Sequence, residues 1–198
     1  MIGAIASRLR RLRDDQRGVT LLEFALVSPA LILTIMGIGD LAYQSYLRSV
    51  TRGVLEKAAR SASVGTLNST DLDTYIAAQM SAINAKNGTT SVTKKSYYNF
   101  SRVGKPEKIT TDTAPLGSYN VGDCYEDANG NGSYDAAGGT TGLGNADDIV
   151  YYEVTVSMPR MFPMAKLLGW NATQSATATT MVRNQPWANQ NKPTTKCT

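Results

Sequence analysis

Residues 17–39 read Arg17-Gly18-Val19-Thr20-Leu21-Leu22-Glu23-Phe24-Ala25-Leu26-Val27-Ser28-Pro29-Ala30-Leu31-Ile32-Leu33-Thr34-Ile35-Met36-Gly37-Ile38-Gly39. From Val19 on, Glu23 is the one ionisable side chain in roughly 20 mostly apolar residues, enough as a helix to cross a hydrocarbon layer of about 30 Å. A carboxylate in that layer costs on the order of 2.5–3.5 kcal/mol and calls for a partner. Cleavage after Gly18 would supply one: a new α-amino group at Val19, with Glu23 at the fifth mature position of the same or a neighbouring chain. Glycine suits the residue before a scissile bond because its backbone can enter a protease cleft extended and unhindered.

Two other fates of this terminus compete. Gly37-Ile38-Gly39 is a small-x-small triplet acceptable to a signal peptidase, which would leave Asp40 as the mature start. An uncleaved anchor would keep Met1. Against the secretory signal, its apolar region rarely holds Glu, and helical periodicity continues past the supposed cut through Tyr43, Leu47, Val50, Val54 and Leu55.

Arg8, Arg10, Arg11, Arg13 and Arg17 against Asp14 and Asp15 place +3 of the formal +4 charge in residues 1–18. Basic charge so concentrated is a topology signal that holds this end in the cytoplasm, and argues against nucleic-acid binding. The chain thus divides into a basic leader (1–18), a transmembrane part of the first helix (19–39), an extracytoplasmic head (40–187) and a tail (188–198).

One long helix is expected from Val19 to about Val64, bent near Pro29, with hydroxyls such as Ser28 compensating the lost hydrogen bond. Beyond Asp40 it becomes amphipathic: Tyr43, Leu47, Val50, Val54, Ala58 and Ser61 form a stripe, and Arg48, Arg52, Lys57 and Arg60 stay wet. Gly65 suits a left-handed cap. Ser69 or Thr70 offers an N-cap to a second helix with Leu72, Ile76, Met80 and Ile83 on its apolar face, ending at Asn87-Gly88. Ser91 to Val103 reads as a strand whose alternation Lys94-Lys95 weakens. Val150, Tyr152, Val154, Val156 and Met158 alternate with polar residues until Pro159, the clearest strand of the chain. After a Met-rich connector, Met161 to Trp170, Gln174–Arg183 alternates again with small residues on one side. The economical assembly is α+β: a two-helix layer against a small antiparallel sheet.

Lys105 to Ala146 is rich in Gly, Asp, Asn, Thr and Ser, the composition of a long surface loop that needs ties. Asp127, Asn129, Asn131, Gly132, Ser133 and Asp135 match positions one, three, five, six, seven and nine of a calcium loop of EF-hand type. Position twelve is Gly138 instead of Glu, so Asp147 or Asp148 is expected to supply the missing ligand. A string of Asn-Gly turns would give the same composition without an ion. Cys124 and Cys197, the only cysteines, suit a disulfide in an oxidising compartment, worth on the order of 4 kcal/mol in the chain-entropy model. A bond between subunits or two free thiols are the alternatives.

A basic leader, Gly18, four residues, Glu23-Phe24 and a long apolar helix resemble the processing pattern of type IV pilins and pseudopilins, and most of all the TadE/TadF family of tight-adherence (Flp-type) pili. Asp147-Asp148-Ile149-Val150-x-Tyr152-x-Val154, Met161-Phe162-Pro163 and Val182-Arg183-Asn184-Gln185-Pro186-Trp187 resemble the C-terminal half of TadE-type proteins, with Gln185 in place of the usual Glu. The Asp-x-Ser-x-Ser motif of the larger TadG proteins is absent, and the head is too large for a Flp major pilin. The resemblance implies a pilin-like fold, a prepilin peptidase acting between Gly18 and Val19, and an inner-membrane, single-pass state with the head in the periplasm. It also implies other pilin subunits packed through their N-terminal helices, a pilus assembly platform, and a role in surface attachment and biofilm.

The chain has no histidine, which excludes imidazole catalysis and histidine metal sites, and it has no phosphate loop, dinucleotide fingerprint, Gly-x-Ser-x-Gly or CxxC. An enzyme is not expected, and calcium is the one cofactor the residues suggest. The competing reading is an uncleaved membrane-anchored periplasmic binding module with a calcium-stabilised loop.

Overall fold

The computed structural model describes residues 18–83, 87–162, 165–185 and 190–197. Most of the leader, Pro163 of the connector, and Pro186 and Trp187 of the closing motif lie outside the described residues.

Helix α1 runs Val19–Ser63 without interruption at Pro29. The proline lacks the N–H that would bond Ala25 O, and Ser28 Oγ approaches that same carbonyl at 3.5 Å. At the other end Gly65 takes φ 75°, its N–H donating to Ala62 O and that of Thr66 to Ser61 O, both at 3.0 Å. This crossed pair satisfies two of the last carbonyls, as a glycine in the left-handed region permits.

The chain groups into two compact units, Met1–Tyr43 with Arg160–Ala172, and Gln44–Pro159 with Thr173–Thr198. In the first, the helix leaves its apolar side chains uncovered: Leu21 is 76 % and Leu26 75 % exposed. In the second, Leu47, Thr51, Leu55, Ala58 and Ala62 are buried, a stripe at spacings of three and four. Arg48, Arg52, Lys57 and Arg60 stay exposed, as expected.

Helix α2, Ser69–Ser81, is capped by Asn68, whose side chain accepts from the N–H of Thr70 and Asp71. Ser69 and Thr70, the expected caps, lie inside the first turn instead. Leu72, Ile76 and Met80 are fully buried, and the Thr51 hydroxyl on α1 meets Met80 Sδ at 3.7 Å.

Strands β1 (Thr89–Tyr97), β4 (Thr140–Thr141), β5 (Ile149–Pro159) and β6 (Thr173–Arg183) form an antiparallel sheet in the order β4-β1-β5-β6. β5 and β6 pair along their whole length, from Ile149 opposite Arg183 to Pro159 opposite Thr173. Val150, Tyr152, Val154, Val156 and Met158 point inward, with Gln174, Ala176 and Ala178 of β6 buried beside them. β1 begins and ends earlier than its composition suggested, and Phe100–Arg102 is a 3-10 turn. Lys94 does not break it: its ammonium is buried against α2, bonded to Asp73 at 2.6 Å, Ser69 O at 3.0 Å and Ser69 Oγ at 2.8 Å. A buried lysine is tolerable when its charge is paired and its donors are used.

The Gly/Asp-rich stretch is not a bare loop. It contributes β2 (Ile109–Thr111) and β3 (Cys124–Asp127), which with β7 (Thr194–Cys197) form a second antiparallel sheet, β2-β3-β7. Cys124 faces Cys197 in this register and the two are joined by a disulfide, so the tail is pinned beside the acidic stretch within one chain.

Candidate functional site

Gly18 lies exposed one residue before α1. A Cβ there would meet nothing within 4 Å, so packing does not demand glycine. Glu23 and Phe24 follow on an exposed surface of the helix. By length and composition α1 can cross a membrane, and none of its most apolar window is buried within the structure.

The second candidate is the loop after β3. Asp127, 2 % exposed, accepts from Gly130 N–H at 2.7 Å through Oδ1 and from Gly132 N–H at 2.9 Å through Oδ2. Asn129 Oδ1 accepts from Asn131 N–H, and Asn131 Oδ1 from Ser133 N–H. Both asparagine amides donate to Asp135 Oδ2. Positions one, three and five thus fold the loop through their own side chains, with Gly132 at φ 76° in the left-handed region. Tyr134 stacks on Tyr119 at 4.2 Å between ring centroids, and both meet Tyr125 of β3 edge-on at 5.6 Å, which fastens the loop to the sheet.

The loop is closed by a residue that its local sequence does not identify. Glu107, buried, accepts from Ala128 N–H at 2.8 Å and Asp135 N–H at 3.0 Å, while its own N–H donates to Asp135 O. Burial pushes its carboxyl up from the ordinary value of 4.5, and the nearby carboxylates of Asp135 and Asp127 add to this against the two backbone hydrogen bonds. Gly138, at the twelfth position, explains the departure from the calcium-loop pattern: a Cβ there would lie 2.2 Å from Lys105 O. The segment that brings in Glu107 occupies the space a twelfth side chain would need.

Asp147 and Asp148 go elsewhere. Asp147, at φ 62°, approaches Arg183 Nε at 3.3 Å. Asp148 accepts from Asn145 N–H at 2.7 Å and from Gln190 Nε2 at 2.8 Å. Asn184 donates to Leu143 O and Asn145 O, and its N–H to Asp148 O. The Asp147-Asp148 turn and the Arg183-Asn184 pair are therefore two halves of one polar lock at the end of β5 and β6. A cavity of about 100 Å³ separates the two acidic regions, with Glu107 and Ala128 on its wall together with Asn145 and Asp148. Among the described residues no three acidic, cysteine or histidine side chains gather as a metal-binding group.

Residues 18–60 match the family model described as TadE-like protein. The match covers Gly18, Glu23-Phe24 and α1 almost to its end, which associates this segment with a minor pilin of the tight-adherence system and with pilus components. No curated protein and no solved structure matches the chain.

Proposed function

We propose that this chain is a minor pilin or pseudopilin: a prepilin peptidase cuts after Gly18, α1 holds the product in the inner membrane with the head in the periplasm, and stem-to-stem packing then carries it into an adhesive tight-adherence fibre. The observation that supports this best is the single helix that leaves its apolar half exposed and carries Glu23 four residues beyond Val19. In a filament, the carboxylate of one subunit would neutralise the new amine of another in a medium where an unpaired charge is costly. Mass spectrometry of the protein from native membranes tests the cut directly. A mature start at Val19 is expected; a start at Met1, or a mass unchanged by loss of the peptidase, sinks the proposal and favours the anchored binding module. Glu23→Ala is expected to reduce piliation and adhesion severely while leaving the protein in the membrane.

For the acidic loop we propose calcium, held by Asp127, Asn129, Asn131, Ser133 and Asp135, with Glu107 as the outlying carboxylate. The support is the turn network: each asparagine carbonyl oxygen keeps a second lone pair after accepting its N–H, and the Asp127 and Asp135 carboxylates are held by the same turns. Calcium titrated into the full chain in detergent should release heat and raise the melting temperature. Asp127→Asn should abolish both effects and Asp147→Asn neither; no heat and an unchanged melt would remove the ion from the account.

A further inference from the structure

We infer that the excursion between β5 and β6, described at residues 160–162 and 165–172, is a membrane foot that lies in the head-group layer where the apolar run of α1 ends. The inference rests on the reading of residues 19–39 as membrane-spanning. Within their compact unit, this segment is fastened to the helix at two successive residues, Gly39 and Asp40. The ring of Phe162 sits 3.0 Å from where a Cβ of Gly39 would be, so glycine there gives the ring its seat. Asp40, fully buried, pairs with the Arg160 guanidinium. Arg160 also closes the base of the excursion, donating from Nε to Asn171 O at 2.8 Å and from its N–H to Ala172 O at 3.0 Å. The Trp170 ring lies 5.0 Å from its guanidinium carbon.

Gly39 and Asp40 are the last residue of the uncharged run and the first charge after it, so the attachment falls at the depth where hydrocarbon gives way to water. Among the described residues of the excursion, Met161, Leu167, Leu168 and Trp170 all remain exposed. The short helix α3, Ala165–Leu168, carries two of them and Lys166. Tryptophan with exposed leucines and a lysine long enough to reach water is the composition of a segment lying in the interface, not spanning it. Lipid is the expected occupant because the patch is fastened at the end of the uncovered apolar surface of α1. The foot would set how far the helix can sink before assembly.

The chain has two tryptophans, so Trp187→Phe leaves Trp170 as the sole reporter. In phosphatidylcholine vesicles its emission should be blue-shifted, shielded from iodide, and about twofold weaker when the lipid is brominated near the head-group end of its acyl chains. A second variant, Leu31→Trp with both natural tryptophans changed to Phe, reports the helix itself. Quenching at Leu31→Trp but iodide-accessible, unquenched emission at Trp170 overturns the foot and leaves the spanning helix standing. Absence of quenching at both positions overturns the membrane reading together with the foot. Trp170 shielded only in assembled filaments would assign the patch to a neighbouring subunit, which also overturns the foot.

Discussion

In the four-stranded sheet, alternate residues of β5 from Val150 to Met158 are apolar or aromatic and almost fully buried, whereas around the three-stranded sheet the buried set is Tyr125 with the carboxylates Asp123, Asp127 and Glu107. The first sheet draws its stability from apolar area, at about 1.5–3 kcal/mol for each fully buried large side chain. The second has little such area. It is closed by a disulfide, by carboxylates that accept backbone N–H groups, and by a three-tyrosine cluster. A chain segment too polar to collapse can still be ordered if each buried acceptor finds a donor and its loop entropy is cut by a crosslink.

The largest expected effect separates the two sheets. Cys197→Ser should lower the opening free energy of the β2-β3-β7 sheet by about 4 kcal/mol. Hydrogen exchange should then show residues 109–111 and 124–127 losing protection while 149–158 and 173–183 keep theirs; equal loss in both sheets would mean that they are one cooperative unit. Next, Ile76→Ala, a truncation in the fully buried face of α2, should cost about 3 kcal/mol in urea unfolding, with protection of the four-stranded sheet lowered by the same amount.

The smallest effect sharpens the polar side of the contrast. Asp123 is held below its ordinary value of 3.8, first by the Thr113 hydroxyl, then by the N–H groups of Thr113 and Asn120. A carboxylate with a lowered folded-state value contributes stability above its ordinary value and loses it as pH falls through the folded one. Asp123→Asn should therefore lower the melting temperature at pH 7, a difference that shrinks in melts below 3.8. Glu107 acts in the opposite sense: with its value raised above 4.5, stability falls as pH rises from there to the folded value.

Legibility followed the same division. The length of α1, the cap at Gly65, the alternation of β5 and the parity of the cysteines are local signals that need no distant partner to be read. Lys94 reads locally as a strand breaker because only the tertiary structure places Asp73 and Ser69 over it. β2 and β3 escape notice because strands of three and four residues carry too few alternations to stand out in a Gly/Asp-rich background. Glu107 carries no spacing signal at all, lying twenty residues before Asp127.

What the sequence by itself determined is whatever depends on neighbours along the chain: which stretch is apolar enough for lipid, where its helix ends, and how Asp127, Asn129 and Asn131 fold their own turn. Only the tertiary structure decided which distant group closes each charge: Glu107 at the acidic loop, Arg183 at Asp147, Arg160 at Asp40. The physical reason is range. Backbone propensity and hydrophobic period act over a few residues, whereas a buried carboxylate takes its partner from whichever segment packing brings within hydrogen-bond reach.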